Sequence, residues 1–168
     1  MSQLDWKNPA FLEQIEVERV EDYYKLSING NPISFNTPLL RVPFGLDKKY
    51  NVIQIKLQCL TEEEDAEAFI EFLEKLEEKL IELTGIPRNS FSSCITRNPK
   101  YPPLFTSKIV TNRGGIIGTE VMNTKGEFQN LFNIEKGDHV KVRLFVDSIR
   151  PYNGRFWYKL KSKKIVCV

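Results

Sequence analysis

The sequence has little of what most enzymes and metalloproteins require. It holds one histidine, His139, and three cysteines, Cys59, Cys94 and Cys167, in 168 residues. Any Ser–His or Cys–His nucleophile would depend wholly on His139, which stands at a predicted strand start with no such constellation beside it. No CxxC or HxxxH pair supplies zinc-ligand spacing. No catalytic residue, metal or cofactor is therefore expected. The cysteines are odd in number and far apart, which fits reduced thiols rather than a disulfide framework. No apolar run approaches the roughly 18–20 residues of a membrane span. The N-terminal MSQLDWKNPAFLEQIEVE has no basic segment followed by an apolar one, so the chain is expected not to be secreted. Gly114, Gly115 and Gly118 lack the lysine of a phosphate-binding loop and open no helix, and a tight hairpin accounts for them.

What is present is a strong separation of charge. The net charge is only +2, yet Thr61 to Thr84 carries ten acidic residues and two lysines. Gly85 to Val168 carries fifteen basic and five acidic residues, and the first sixty residues are balanced at seven of each. Such asymmetry points towards nucleic-acid contact, and it also suits an acidic helix that simply faces water.

The last thirty residues, His139 to Val168, read as two long strands joined at Asn153-Gly154. Asn-Gly between alternating runs is a hairpin signal, because both central residues of a type I′ turn need positive φ. Val140, Val142, Leu144 and Val146 share one face, and Lys141, Arg143 and Phe145 the other. Past the turn, Arg155, Trp157, Lys159 and Lys161 oppose Phe156, Tyr158 and Leu160. Each strand can bury an apolar side and present cations with one large ring. Cations suit phosphates and flat rings suit unpaired bases. A charged edge kept for solubility is the competing account. A one-residue slip in register would turn Trp157 into the core.

Upstream, the first twenty residues are weakly patterned. Glu21 to Ile28 alternates as a strand, Asn29 to Pro32 is a turn cluster, and Ile33 to Val42 is extended but interrupted at Pro38. Asn51 to Cys59 is a strand with Ile53, Ile55, Leu57 and Cys59 inward and Gln54, Lys56 and Gln58 outward. Thr61 opens a predicted helix through a Thr61–Glu64 capping box, and Gly85 and Pro87 end it. Ala66, Phe69, Leu73, Leu76, Leu80 and Leu83 form a 3,4 seam that Ile70, Phe72 and Ile81 widen. A helix packed on a sheet accounts for that better than a coiled coil. Asn89 to Pro103 reads as loop, Leu104 to Thr111 and Ile116 to Met122 as strands around a turn at Asn112 to Gly115. Asn123 to Asp138 is a polar connection. Short strands around one helix predict a mainly β fold: an OB-fold-like antiparallel barrel with a helix inserted mid-chain. The predicted organisation is an N-terminal extension, residues 1–20, and one nucleic-acid-binding domain, residues 21–168.

Lys108 and Arg113 lie on or beside a strand, and Lys163 and Lys164 add to the cations of the last hairpin, with Tyr101, Tyr152 and Trp157 as nearby rings. The segment Asn36 to Gln58, the helix that follows it, Tyr101 to Ile109 (YPPLFTSKI) and VDSIRPYNGRFWYKLKSKKIVCV together resemble the single-stranded DNA-binding proteins of large eukaryotic DNA viruses, which are similar to those of T7-type phages. The resemblance covers about Ile33 to Val168. It implies an OB-fold that coats unwound DNA in replication, recombination or repair, in the host cytoplasm or nucleus. Carried over by position, Phe44, Lys108, Tyr152, Arg155, Trp157 and Lys159 would lie near the DNA. With Arg113, Lys141, Arg143 and Lys161 they make the candidate DNA-binding set. Single-stranded DNA is the implied partner, with replication proteins such as a polymerase or helicase-primase, and a homodimer is compatible. The phage proteins end in an acidic tail that recruits partners. This chain ends in KKIVCV, so a tail-mediated contact is not expected, and the acidic helix from Glu62 to Glu82 is the candidate substitute. The alternative function is a scaffold docking through that helix, residues 61–84. A nuclease would need carboxylates on the basic face, where Asp147 is the only candidate in the terminal strands.

Overall fold

The computed structural model describes residues 5–49 and 52–168. Asn51, the predicted start of one strand, and residues 1–4 of the predicted extension lie outside the described residues. In chain order come β1 Glu16–Val20, β2 Tyr23–Ser27, β3 Ile33–Asn36, β4 Leu40–Arg41, β5 Leu46–Lys49 and β6 Val52–Cys59. The long helix α1, Ala66–Thr84, follows. Then come β7 Phe91–Ser92, β8 Ile95–Asn98, β9 Tyr101–Ile109, β10 Glu120–Asn123, β11 His139–Val146, β12 Ser148–Tyr152, β13 Arg155–Tyr158 and β14 Leu160–Cys167.

The pairings β14–β11, β11–β4, β4–β6, β6–β9 and β9–β14 return to their starting strand. This ring is an OB-like barrel, as the strand pattern predicts. Its closing seam is parallel and short, with Leu160 beside Ser107, Lys161 beside Lys108 and Ser162 beside Ile109. Ser107 and Ser162 are wholly buried there, their hydroxyls 2.5 Å apart. Small side chains let the strands meet inside the barrel, and each hydroxyl satisfies the other. Thr119 bolts the same seam. Its hydroxyl accepts from Val110 N at 2.9 Å and donates to Ser162 O at 2.6 Å.

The two long C-terminal strands continue past the barrel. β11 and β14 pass into β12 and β13, which join a second sheet of order β1-β2-β12-β13-β7. Asn153 and Gly154 turn the ribbon with φ of 52° and 74°, the left-handed conformation that the Asn-Gly pair predicts. Val140, Val142, Leu144, Val146, Tyr158 and Leu160 are buried, so the predicted register holds.

α1 lays Ala66, Phe69, Ile70, Phe72, Leu73, Leu76 and Leu80 on the barrel, while Leu83 is exposed, so the widened stripe and not the narrow seam is the buried face. Gly85 ends it at φ 72°, its N–H reaching Ile81 O. The predicted capping box does not form. Residues 61–65 make turns, with Glu63 N on Leu60 O and Ala66 N on Glu63 O, and the Thr61 hydroxyl donates to Glu62 instead. The helix begins at the first residue that faces the barrel.

Three other expectations need correction. The 20/21 boundary between extension and domain falls inside the β1–β2 hairpin, where Val20 pairs with Tyr23. Trp6, Phe11 and Ile15 belong to the core, and Trp6 sits 5.2 Å from Phe69 and 5.4 Å from Phe72. Residues 89–103, read as loop, hold β7, β8 and the first residues of β9. β7 pairs with distant β13, which no local pattern reveals. Finally, the strand predicted from Ile116 pairs continuously only from Glu120, because residues 116–119 are used in the Thr111–Ile117 bridge and the Thr119 bolt.

Thr119→Val keeps the shape of the side chain and removes both seam bonds. It should lower unfolding stability by about 1–3 kcal/mol, measured by urea denaturation. An unchanged midpoint would mean that the hydroxyl does not hold the seam.

Candidate nucleic-acid interface

Residues paired across neighbouring strands share a face. On the outside of the barrel, Gln54 of β6 pairs with Lys108 of β9, Lys108 with Lys161 of β14, and Lys161 with Phe145 of β11. One step along, Lys56 pairs with Thr106. Lys159 precedes β14 on the same side. Lys161 Nζ lies 3.1 Å from both oxygens of Asp147 and 5.7 Å from the centre of the Phe145 ring. Lys56 Nζ lies 5.8 Å from the centre of the Phe44 ring, which is 64% exposed on the bend between β4 and β5. Lys108 is half-buried. Burial, then the charges of Lys159 and Lys161, hold its ammonium below the usual lysine range, with Asp147 opposing them. The barrel therefore brings Lys159 and Lys161 close enough to repel Lys108, with the rings of Phe44 and Phe145 on the same wall.

Trp157 stands on the outer face, 40% exposed, with its indole N–H donating to Tyr152 O at 3.1 Å. Tyr152 is 68% exposed at the hairpin end. The remaining candidates are dispersed. Lys141 and Arg143 lie nearer the start of β11 and line a pocket of about 420 Å³ with Lys7, Asn36 and Asp65. Arg143 donates to Asn36 Oδ1 at 3.2 Å. Arg113 is exposed on the 112–115 turn beyond the end of β9.

Arg155 is spoken for. Its Nε donates to Ser92 Oγ at 2.7 Å, one Nη to Asn89 O at 3.0 Å and the other to Phe91 O at 3.2 Å. It fastens the terminal hairpin to the chain entering and forming β7. The pairing of β13 with β7 that creates this anchor is long-range, so sequence alone shows only an outward arginine. Lys56 and Phe145 are the cluster members outside the candidate set. Strand alternation turns both outward, and their place beside Phe44 and Lys161 depends on the ring of pairings.

Four of the ten carboxylates in residues 61–84 are engaged by residues outside that segment. Glu74 pairs with Arg97, Glu78 with Arg88, and Asp65 with Lys7 at 2.7 Å. Glu77 accepts from Ser93 Oγ at 2.7 Å, Cys94 N at 3.2 Å and the buried Tyr158 hydroxyl. Burial, before any neighbouring charge, raises the Tyr158 phenol well above its ordinary range, so it stays a donor to that carboxylate.

No family model and no curated protein matches the sequence. Solved structures match the fold. The crystal structure of gp2.5, a single-stranded DNA binding protein encoded by bacteriophage T7, superposes with a TM-score of 0.58 at 14% identity, over 80% of this chain and 91% of that one. The single-stranded DNA-binding protein from bacteriophage Enc34, in complex with single-stranded DNA, gives 0.57 at 9% identity over 93% and 95%. Its C-terminal truncation gives 0.56 at 14% identity over 92% and 93%. At these identities the likeness is one of fold.

Arg155→Lys replaces a planar fork by a point charge that cannot reach three divergent acceptors. It should lower stability by about 1–2 kcal/mol, read by denaturant unfolding. Full stability in the lysine variant would show that charge alone suffices at this position.

Proposed function

We propose that this protein binds single-stranded DNA without catalysing a reaction on it. It coats unwound DNA in viral replication, recombination or repair, as a single-stranded DNA-binding protein of the kind found in large eukaryotic DNA viruses. The observation that carries this reading is the group of Lys108, Lys159 and Lys161 on the outer barrel wall, with Phe44 exposed near it and Trp157 exposed on the adjoining sheet. Three crowded ammonium groups attract a phosphate chain, and Phe44 and Trp157 offer flat faces to its bases. Nothing in that arrangement reads a base edge, so binding is largely sequence-independent. The shared fold with a phage protein solved on single-stranded DNA supports the same reading. The protein acts where viral DNA is copied, in host cytoplasm or nucleus, alongside replication proteins. The scaffold alternative loses ground because Asp65, Glu74, Glu77 and Glu78 are engaged within the chain.

Binding to oligo(dT) should weaken with salt, with a slope of log K against log [salt] of about −2 for the three lysines, at roughly 0.7 per phosphate on a single strand. A flat salt profile would remove the electrostatic basis. Bound DNA should quench tryptophan emission, and Trp157→Phe should leave only the buried, unquenched Trp6 signal. Quenching that persists in that variant would rule out Trp157 as the stacking ring.

Binding should also take up protons at alkaline pH. A phosphate beside Lys108 raises its depressed pKa back towards the ordinary 10.5. Between the depressed and restored values the free protein has lost a proton that the complex retains. Affinity therefore falls as pH rises through the free-state value. Calorimetry in buffers of different ionisation enthalpy measures the uptake, which Lys108→Met should abolish. Equal uptake in wild type and variant would assign the proton elsewhere.

A further inference from the structure

The terminal ribbon carries its outer face off the barrel and onto the second sheet. There Arg150 of β12 pairs with Trp157 of β13. On its other side, β12 pairs with β2 through Ile149 and Tyr24, so Arg150 comes beside Tyr23. The Arg150 guanidinium carbon lies 4.0 Å from the centre of the Tyr23 ring. The result is a row across three adjacent strands: ring, guanidinium, ring. Strands lie about 4.8 Å apart, so the two rings are separated by roughly 10 Å with the cation between them.

Three properties suit this row to a nucleotide chain. Arg150 is exposed, and among the described residues no carboxylate pairs with it. One face of its guanidinium stacks on Tyr23, which leaves the N–H edges for a phosphate. The Trp157 N–H is committed to Tyr152 O at 3.1 Å, so the indole offers a face and no donor to a base. Stacking of that kind tolerates any sequence. The row is also continuous with the lysine cluster. Lys25 pairs with Ser148 one step nearer the barrel, and Lys159 lies two residues beyond Trp157 on the same face.

We infer that Tyr23 and Arg150 form a second single-strand contact site on the β2–β12–β13 sheet, where Arg150 holds the phosphate between one base on Trp157 and the next on Tyr23. The inference rests on the single-stranded DNA reading above and extends its track from the barrel to a sheet that the candidate residues touch only through the hairpin.

The test compares oligo(dT) of about 6 and about 12 nucleotides, within the range of OB-type site sizes, on wild type, Arg150→Gln, Tyr23→Leu and Tyr23→Phe. Arg150→Gln should weaken the longer ligand about fivefold or more and reduce the magnitude of its salt slope by about 0.7. Tyr23→Leu should weaken the longer ligand about tenfold, the scale of one stacked base, without changing the slope. Tyr23→Phe should behave as wild type, and the shorter ligand should bind all four proteins alike. If wild type binds both lengths and the variants match it, the second site is wrong. If Arg150→Gln and Tyr23→Leu weaken both lengths equally and melt earlier, the pair is structural only, and the inference again fails. Wild type binding neither length would instead defeat the single-stranded DNA reading itself.

Discussion

The parallel contact between β9 and β14 is the constraint on which the rest depends. It closes the barrel, and in the same three residue pairs it sets Lys108 beside Lys161 on the outside and Ser107 near Ser162 on the inside. The inner half favours closure through mated hydroxyls and the fully buried Leu160 and Ile109. The outer half opposes it, because like charges on adjacent strands repel and Lys108 is partly desolvated as well. The seam is thus stable from within and frustrated on the surface. An anion placed there would relieve that repulsion.

The cations divide into two sets with different partners. Lys7, Arg88 and Arg97 answer the carboxylates of α1 and of the turn before it. Among the described residues Lys56, Lys108 and Lys159 have no carboxylate in ion-pair contact, and Lys161 shares only Asp147. Folding therefore offsets three of the eight net negative charges of residues 61–84 locally and leaves positive potential where the barrel wall is lined with rings. The modest net charge of +2 conceals this, since it averages a screened region with an unscreened one.

What could be read from the sequence was what depends on near neighbours. Alternation fixed the faces of β11, β13 and most of β6, where Gln58, read as outward, is buried and donates to Pro102 O; Asn153-Gly154 fixed the hairpin, and Gly85 the helix end. Trp157 accordingly points outward as its register requires. What could not be read depends on pairing across long separations. Residues 91–92 carry no strand pattern of their own and become one only against β13. Arg155 looks like any outward cation until that partner supplies its three acceptors. The capping box failed for a related reason. Thr61 and Glu64 have suitable chemistry, but the helix starts where the barrel offers a surface to Ala66. Trp6 and Phe11 are not legible as core residues because isolated rings in a weakly patterned stretch show no periodicity, and only the tertiary cluster with Phe69 and Phe72 gives them a place.

The hairpin that bears Trp157 is held from behind more firmly than its exposure suggests. Tyr158, its neighbour on the inner face, stacks on Phe91 with ring centres 5.5 Å apart and donates its hydroxyl to Glu77 of the helix. Arg155 ties the same strand to the chain at β7, and Tyr152 O fixes the indole itself. An exposed side chain normally loses about 0.5–1.5 kcal/mol of rotamer freedom when a ligand immobilises it. Here much of that ordering is already complete in the free protein. The acidic helix, which phosphate would repel, thereby contributes to the basic face at one remove: its Glu77 anchors the strand whose opposite side presents the ring. Both halves of the charge asymmetry then serve one surface, the negative half as its mechanical support and the positive half as its field.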